Sequence, residues 1–207
     1  MRPFRPSWML PGAHLQTIWG KKMRRRLPVH DRVERIATPD GDHLTLARAG
    51  IPDAAKRHLL VLHGLEGTIT AKYAHGLLAL ARARGWSADL LLFRSCDGQI
   101  NSARRLYHSG ETSDLDLVVR HLHATIPGVK LVICGVSLGG NVLVKWLGES
   151  GSKGAQLAHR ATAVSVPFDL GAGAKFLERG LSRFYTRHFL ATLRPKALMK
   201  LEQFPGA

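Results

Sequence analysis

Residues 131–141 read LVICGVSLGGN, an apolar run that ends in a glycine-rich turn with one serine at its tip. An uninterrupted apolar run of this length suits a strand buried on both faces, as in the interior of a parallel sheet. Residues 141–149, NVLVKWLGE, continue as a helix. Between them, Gly135-Val136-Ser137-Leu138-Gly139 fits G-x-S-x-G in the strand–turn–helix setting that gives the pattern its meaning. Side chains at the neighbouring positions would collide with the strand and helix, so glycines flank the serine, which takes a strained turn conformation. Ser137 is therefore the candidate nucleophile, and the helix N-terminus adds positive potential where an oxyanion would form.

The rest of the chain repeats the same alternation. VHDRVERIAT (29–38) and DHLTLARAG (42–50) alternate apolar and polar residues around Pro39-Asp40-Gly41-Asp42, which predicts an antiparallel hairpin. HLLVLHGLEG (58–67) predicts a buried strand; Tyr73, Leu77, Leu78 and Ala81 mark the helix after it, with Gly85 as its stop. WSADLLLFRSC (86–96) is a second buried strand. A long polar loop then leads to a helix in SDLDLVVRHLHATIPG (113–128), whose first-turn Asp114 and Asp116 the helix dipole favours. KLVICGV (130–136) is the third buried strand and ATAVSVPF (161–168) the fourth. This order predicts an α/β class with a mostly parallel sheet, flanking helices and right-handed crossovers. In LGAGAKFLERGLSRFYTRHFLATL (170–193), Leu177, Leu181, Phe184 and Tyr185 share one face while Lys175, Arg179, Arg183 and Arg187 recur on another. That spacing predicts a basic amphipathic helix, weakened by Gly180, within a helical cap-like segment over 169–207.

Composition bounds the class. A chain of 207 residues, 45% of them hydrophobic, fits a single domain with a substantial core, with no repeat or low-complexity tract. Its two cysteines, Cys96 and Cys134, make no disulfide framework. The start, MRPFRPSWMLPG, is basic but interrupted by prolines and lacks the apolar core of a secretory signal. No run is long enough to span a bilayer, and a reduced, cytoplasmic setting is expected. The net charge of +15 includes Lys21-Lys22-Met23-Arg24-Arg25-Arg26, within an N-terminal basic arm over residues 1–28. Such a run is usually a solvated face. Nucleic acid is the sharper alternative, disfavoured because the spacing of known binding modules is missing, and an anionic membrane surface is the other candidate partner. His121 and His123, two apart on a helix, point to different faces, so no metal site is expected, and no cofactor is implied.

A serine that attacks a carbonyl needs two backbone N–H groups aimed at one point. Leu138, next to the nucleophile, supplies one. The other is expected from the loop after an earlier strand, where His63-Gly64-Leu65-Glu66-Gly67 stands, making Leu65 the candidate. His63 reads as shaping this oxyanion loop rather than as the base.

HGLEG, YAHGLLALARARGW, FRSCDGQINSARRLYHSGET and GVSLGGNVL together resemble the YheT-like α/β-hydrolases, also called the AB hydrolase 4 family. GAHLQTIWG near the start and RFYTRHFLATLRPKA near the end are similar to the same family, so the resemblance spans nearly the whole chain. It implies an α/β-hydrolase fold and a serine carboxylesterase or lipase-like activity on a small-molecule acyl ester or lipid substrate. The family pattern places its acid and histidine after later strands, and no residue here matches those two positions. The 207 residues are accordingly expected to be the N-terminal two thirds of a longer domain, with the C-terminal strands missing and the acid and base beyond residue 207. A rival keeps the triad within the chain, using Asp169 and His188, although Asp169 reads more simply as a helix cap. The alternative to an enzyme is a catalytically silent protein of the same fold that binds lipid surfaces or nucleic acid.

Overall fold

A computed structural model of the chain describes residues 5–25, 27, 29–51 and 56–206. Six strands form one sheet: β1 (Arg32–Ala37), β2 (His43–Ala49), β3 (Arg57–Leu62), β4 (Ser87–Leu92), β5 (Lys130–Val136) and β6 (Arg160–Val164). Their spatial order is β1-β2-β4-β3-β5-β6. β1 and β2 form the antiparallel hairpin, β2 runs antiparallel to β4, and β4, β3, β5 and β6 are parallel. β4 is buried at every position and β3 at all but its first residue, which is why their sequences lack alternation. β6, expected as the fourth strand, pairs parallel with β5. It is the edge strand of the described sheet, and all five of its residues are exposed. An apolar run marks strand propensity, but burial depends on what packs beside it.

Seven helical segments complete the described chain. α1 (Ala13–Lys22) occupies the expected basic arm, of which residues 1–4, 26 and 28 lie outside the described residues. α2 (Lys72–Ala83), α3 (Ser113–Thr125) and α4 (Leu138–Leu157) are the sheet-packing helices. On one face of the sheet Leu46, Leu60, Leu62, Leu91, Leu131 and Ile133 pack under Leu115, Val118 and Leu122 of α3 and Leu143 and Trp146 of α4. On the other, Val61, Leu90 and Cys134 pack under Ala74 and Leu78 of α2. Burial of such side chains, at roughly 1.5–3 kcal/mol each, is the main force holding the layers together. Cys96 and Cys134 are free thiols, both buried.

The expected single amphipathic helix over 170–193 is instead three pieces. α5 (Leu170–Leu177) starts at Asp169, whose Oδ1 accepts the Ala172 amide at 2.8 Å. A short 3-10 turn (Gly180–Ser182) follows, and α6 (Arg183–Gln203) completes the segment. Gly180 takes φ +50°, left-handed backbone that breaks the helix, so the apolar and basic residues on either side do not form one continuous stripe. Leu181 and Phe184 stand 75% and 61% exposed, so the expected apolar face does not seat α6 on the domain. The links of α6 to the loops around the sheet include two lysines. Lys196 pairs with Glu66, and buried Lys200 donates to the carbonyls of Asn101 and Ala103.

The candidate active site at the nucleophile elbow

β5 delivers Ser137 at the carboxyl end of the parallel sheet. Leu62 at the end of β3 pairs in register with Gly135 of β5, so the loop leaving β3 begins beside the turn leaving β5. Ser137 has φ 54° and ψ −119°, a strained conformation for a residue with a side chain, costing of order 1–3 kcal/mol. The Ser137 amide donates to the Val164 carbonyl of β6 at 2.8 Å, and its carbonyl accepts from the Gly140 and Asn141 amides, which pins the turn. The flanking glycines allow the close approach that the sequence demands. A Cβ on Gly135 would lie 2.4 Å from the Gly139 carbonyl oxygen, and one on Gly139 would lie 2.6 Å from the carbonyl oxygens of both Leu62 and His63.

The loop HGLEG lies against the serine. A Cβ on Gly64 would sit 3.1 Å from Ser137 Cβ and 3.7 Å from its Oγ. Its amides are accounted for one by one. The Gly64 amide donates to Tyr73 Oη at 2.9 Å, the Glu66 amide to Tyr107 Oη at 2.9 Å, and the Gly67 amide to the Gly64 carbonyl at 2.9 Å. Leu65 is left over: among the described residues its amide has no acceptor, and neither has the amide of Leu138 at the first position of α4. Both side chains pack on the same core cluster. Two amides without acceptors beside a half-buried serine in a tight turn are what an oxyanion requires, and the first turn of α4 adds its dipole.

His63 is fully buried and belongs to the scaffold. Its Nε2 accepts the Phe93 amide at 3.1 Å, which assigns the proton to Nδ1, and Nδ1 donates to the Gly64 carbonyl at 2.7 Å. Burial pushes its pKa down to about 4, so the ring is neutral and both nitrogens are engaged. His188 is exposed on α6, with Nε2 2.6 Å from Lys21 Nζ, while Asp169 caps α5; the two do not form a relay to Ser137. All eleven histidines lie among the described residues, and none is hydrogen-bonded to Ser137. His121 and His123 turn apart, to Glu34 at 3.2 Å and the Leu157 carbonyl at 2.8 Å, and the described residues hold no cluster of metal-ligating groups. Ser87, His58 and Asp89 meet with His58 Nδ1 2.7 Å from Ser87 Oγ and Nε2 3.1 Å from Asp89. All three are at most 1% exposed, near the amino ends of the strands, where no substrate reaches them.

Sequence reading missed the polar frame behind the site. Arg94, fully buried, makes a two-pronged pair with Asp114 (2.8 Å each) and reaches Asp42 at 2.8 Å. Arg105 joins Asp40, Asp114 and Glu111, and Asn101 donates to Asp42 and to the carbonyls of Ala103 and Arg105. The long polar loop is thereby built as a fixed structure that presents Tyr107 to the HGLEG loop. Phe93 stacks on Tyr107 with centroids 5.5 Å apart. Glu66, with left-handed φ 54°, accepts from Tyr107 Oη at 2.7 Å and pairs through both carboxylate oxygens with Lys196 Nζ at 2.8 Å. Burial raises the pKa of Glu66, but the bonds from Lys196 and Tyr107 outweigh it and hold the carboxyl below its ordinary value.

This parallel sheet with a strained serine elbow defines the α/β-hydrolase class of fold. A Pyrococcus furiosus esterase, Pf2001, superposes with a TM-score of 0.58 over 77% of this chain and 60% of its own, at 22% identity, a likeness of fold. Within the class the chain is similar to YheT: it is 38% identical over 205 residues, 98% of its length, to the protein of Escherichia coli strain K12 named "Putative esterase YheT". It is also 31% identical over 192 residues, 89% of its length, to the mouse protein named phospholipase ABHD3. The chain spans 60% of the length of the first of these relatives and 46% of the second. No family model matches it.

Proposed function

We propose that the protein hydrolyses carboxylic esters through an acyl-enzyme on Ser137. Ser137 Oγ attacks the ester carbonyl carbon, a C–O bond forms, and the hydroxyl proton passes to a histidine base. The negative charge on the carbonyl oxygen is held by the Leu65 and Leu138 amides. Collapse breaks the bond to the alcohol, which leaves with the proton; water then attacks the acyl-enzyme by the same steps in reverse order, releasing the acid. We assign the base and its carboxylate partner to residues outside these 207, since no described histidine bonds to Ser137. The observation that carries the reading is the strained Ser137 lying against Gly64 with two acceptor-free amides beside it.

The relatives named esterase and phospholipase support acyl esters of lipid-like alcohols as the substrate class. The test is turnover of p-nitrophenyl esters of graded chain length by the full-length protein and by Ser137→Ala. Loss of a triad serine lowers kcat by about 10⁶-fold, so retained turnover in the variant would remove the proposal. Peripheral contact with anionic lipid is proposed alongside, because exposed Phe176, Leu181 and Phe184 stand among Lys175, Arg179, Arg183 and Arg187. Each basic residue near such a surface contributes about 1 kcal/mol, and co-sedimentation with phosphatidylserine vesicles that fails even at low salt would discard it. No described helix is long and apolar enough to cross a membrane.

A further inference from the structure

Glu66 is the one residue of the oxyanion loop whose backbone and side chain are both clamped from outside the loop. Its amide donates to Tyr107 Oη at 2.9 Å and its carboxylate accepts from the same hydroxyl at 2.7 Å. Lys196 Nζ reaches both carboxylate oxygens at 2.8 Å from the middle of α6, 130 residues away in sequence. The carboxylate is 7% exposed and the lysine 17%. A carboxylate so nearly withdrawn from water is unfavourable without its cation, so the pair is expected to make or break as a unit. The two peptide links on either side of Leu65 are thus held at both ends, by Tyr73 at Gly64 and by Tyr107 and Lys196 at Glu66. In between, the Leu65 amide has no bond of its own to orient it. Left-handed backbone at Glu66 carries a cost that only such over-determination sustains.

We infer that Glu66 and Lys196 are positioning residues that aim the Leu65 amide at the oxyanion, and that Lys196 makes the oxyanion loop answer to the placement of α6. This rests on the reading of Ser137 as nucleophile and adds to it a means by which the helical segment tied to that loop gates catalysis. With α6 seated, Lys196 neutralises Glu66 and the loop is set. With α6 displaced, Glu66 loses its cation, the loop relaxes from its left-handed turn, and one oxyanion donor is lost while Ser137 and its base are untouched. Few apolar contacts fix α6: it meets the rest of the chain through the two lysines, through Gln203 on the Ser102 carbonyl and through Tyr185 and His188 beside His14 and Lys21, while Leu190, Leu198 and Leu201 remain exposed.

The test uses the full-length protein as wild type, Lys196→Met, Lys196→Arg, Glu66→Gln and the Lys196→Met/Glu66→Gln pair, with Ser137→Ala as control. Loss of an oxyanion donor lowers kcat by about 10²–10³-fold, so Lys196→Met and Glu66→Gln should lose at least ~10-fold in kcat with KM within about twofold. Lys196→Arg should recover most of the loss, and the double variant should be no worse than the more affected single one. Wild-type kcat in Lys196→Met, or additive losses in the pair, would overturn the inference. If the wild type shows no Ser137-dependent turnover, the hydrolase reading fails by itself. Amide hydrogen exchange in residues 63–67 then decides the clamp: at least ~10-fold faster exchange in Lys196→Met supports it, and equal rates refute it.

Discussion

Gly139→Ala tests whether the closeness of α4 to β3 is what sets the elbow. The new methyl would stand 2.6 Å from the carbonyl oxygens of Leu62 and His63 and 2.8 Å from the Leu62 carbonyl carbon. All three are backbone atoms at the end of an interior strand, so no side chain can rotate away. Overpacking of this kind costs about 1–3 kcal/mol, and alanine in a helix returns up to ~1 kcal/mol over glycine. With so little room to relax, the cost belongs at the upper end, and a net loss of about 2 kcal/mol is expected. Gly148→Ala is the internal control. It lies in the same helix, exposed, with nothing within 4 Å of the added methyl, and should gain roughly 0.5–1 kcal/mol from propensity alone. Urea unfolding of the full-length protein separates them: with a slope near 2 kcal/mol per molar, the midpoint should fall by ~1 M in Gly139→Ala and rise slightly in Gly148→Ala. Equal midpoints for the two variants would refute the claim that this contact is tight.

Three further outcomes follow from the same structure. Ser137→Gly should remove esterase activity and raise stability by about 1–2 kcal/mol, because glycine relieves the strain at φ 54°; calorimetry showing no gain would count against strain at the elbow. Arg94→Met leaves Asp42 buried without its arginine and Asp114 with Arg105 alone, and should cost about 3–5 kcal/mol by denaturation, with a smaller loss for Arg105→Met at the exposed end of the network. His63 is held neutral with a pKa lowered to about 4 against 6.5, so the unfolded chain binds the extra proton between those values. Its contribution is complete above pH 6.5 and is lost as pH falls toward 4, by roughly 2–3 kcal/mol; the same titration in His63→Gln should lack that slope.

The sheet and the elbow were legible because burial on both faces leaves an unmistakable apolar run in β3, β4 and β5, and because the turn at Ser137 tolerates few residues beside it. The hairpin of β1 and β2 was legible from Pro39-Asp40-Gly41-Asp42. ATAV of β6 reads the same at an edge as in the interior, so its place at the edge of the described sheet came from the order of strands and not from its own residues. The break between α5 and α6 was half legible, since Gly180 reads as a weak point in the helix but gives no sign that it adopts φ +50°. The pairing of charges inside the strands left no local trace either. Arg48, His58 and Asp89 are buried, with Arg48 and His58 both meeting Asp89 and Arg48 Nε also 3.1 Å from Glu34. Glu66 stood in view within HGLEG, but its partners Tyr107 and Lys196 lie 41 and 130 residues away, and nothing local signals such pairing.

The central claim is that Ser137 forms the covalent intermediate. Full-length protein should be treated with a fluorophosphonate, digested, and mapped by mass spectrometry, with Ser137→Ala in parallel. The account predicts one stoichiometric adduct, on the peptide containing Ser137, and none in the variant. An adduct on a different residue, or equal labelling of the variant, would contradict it.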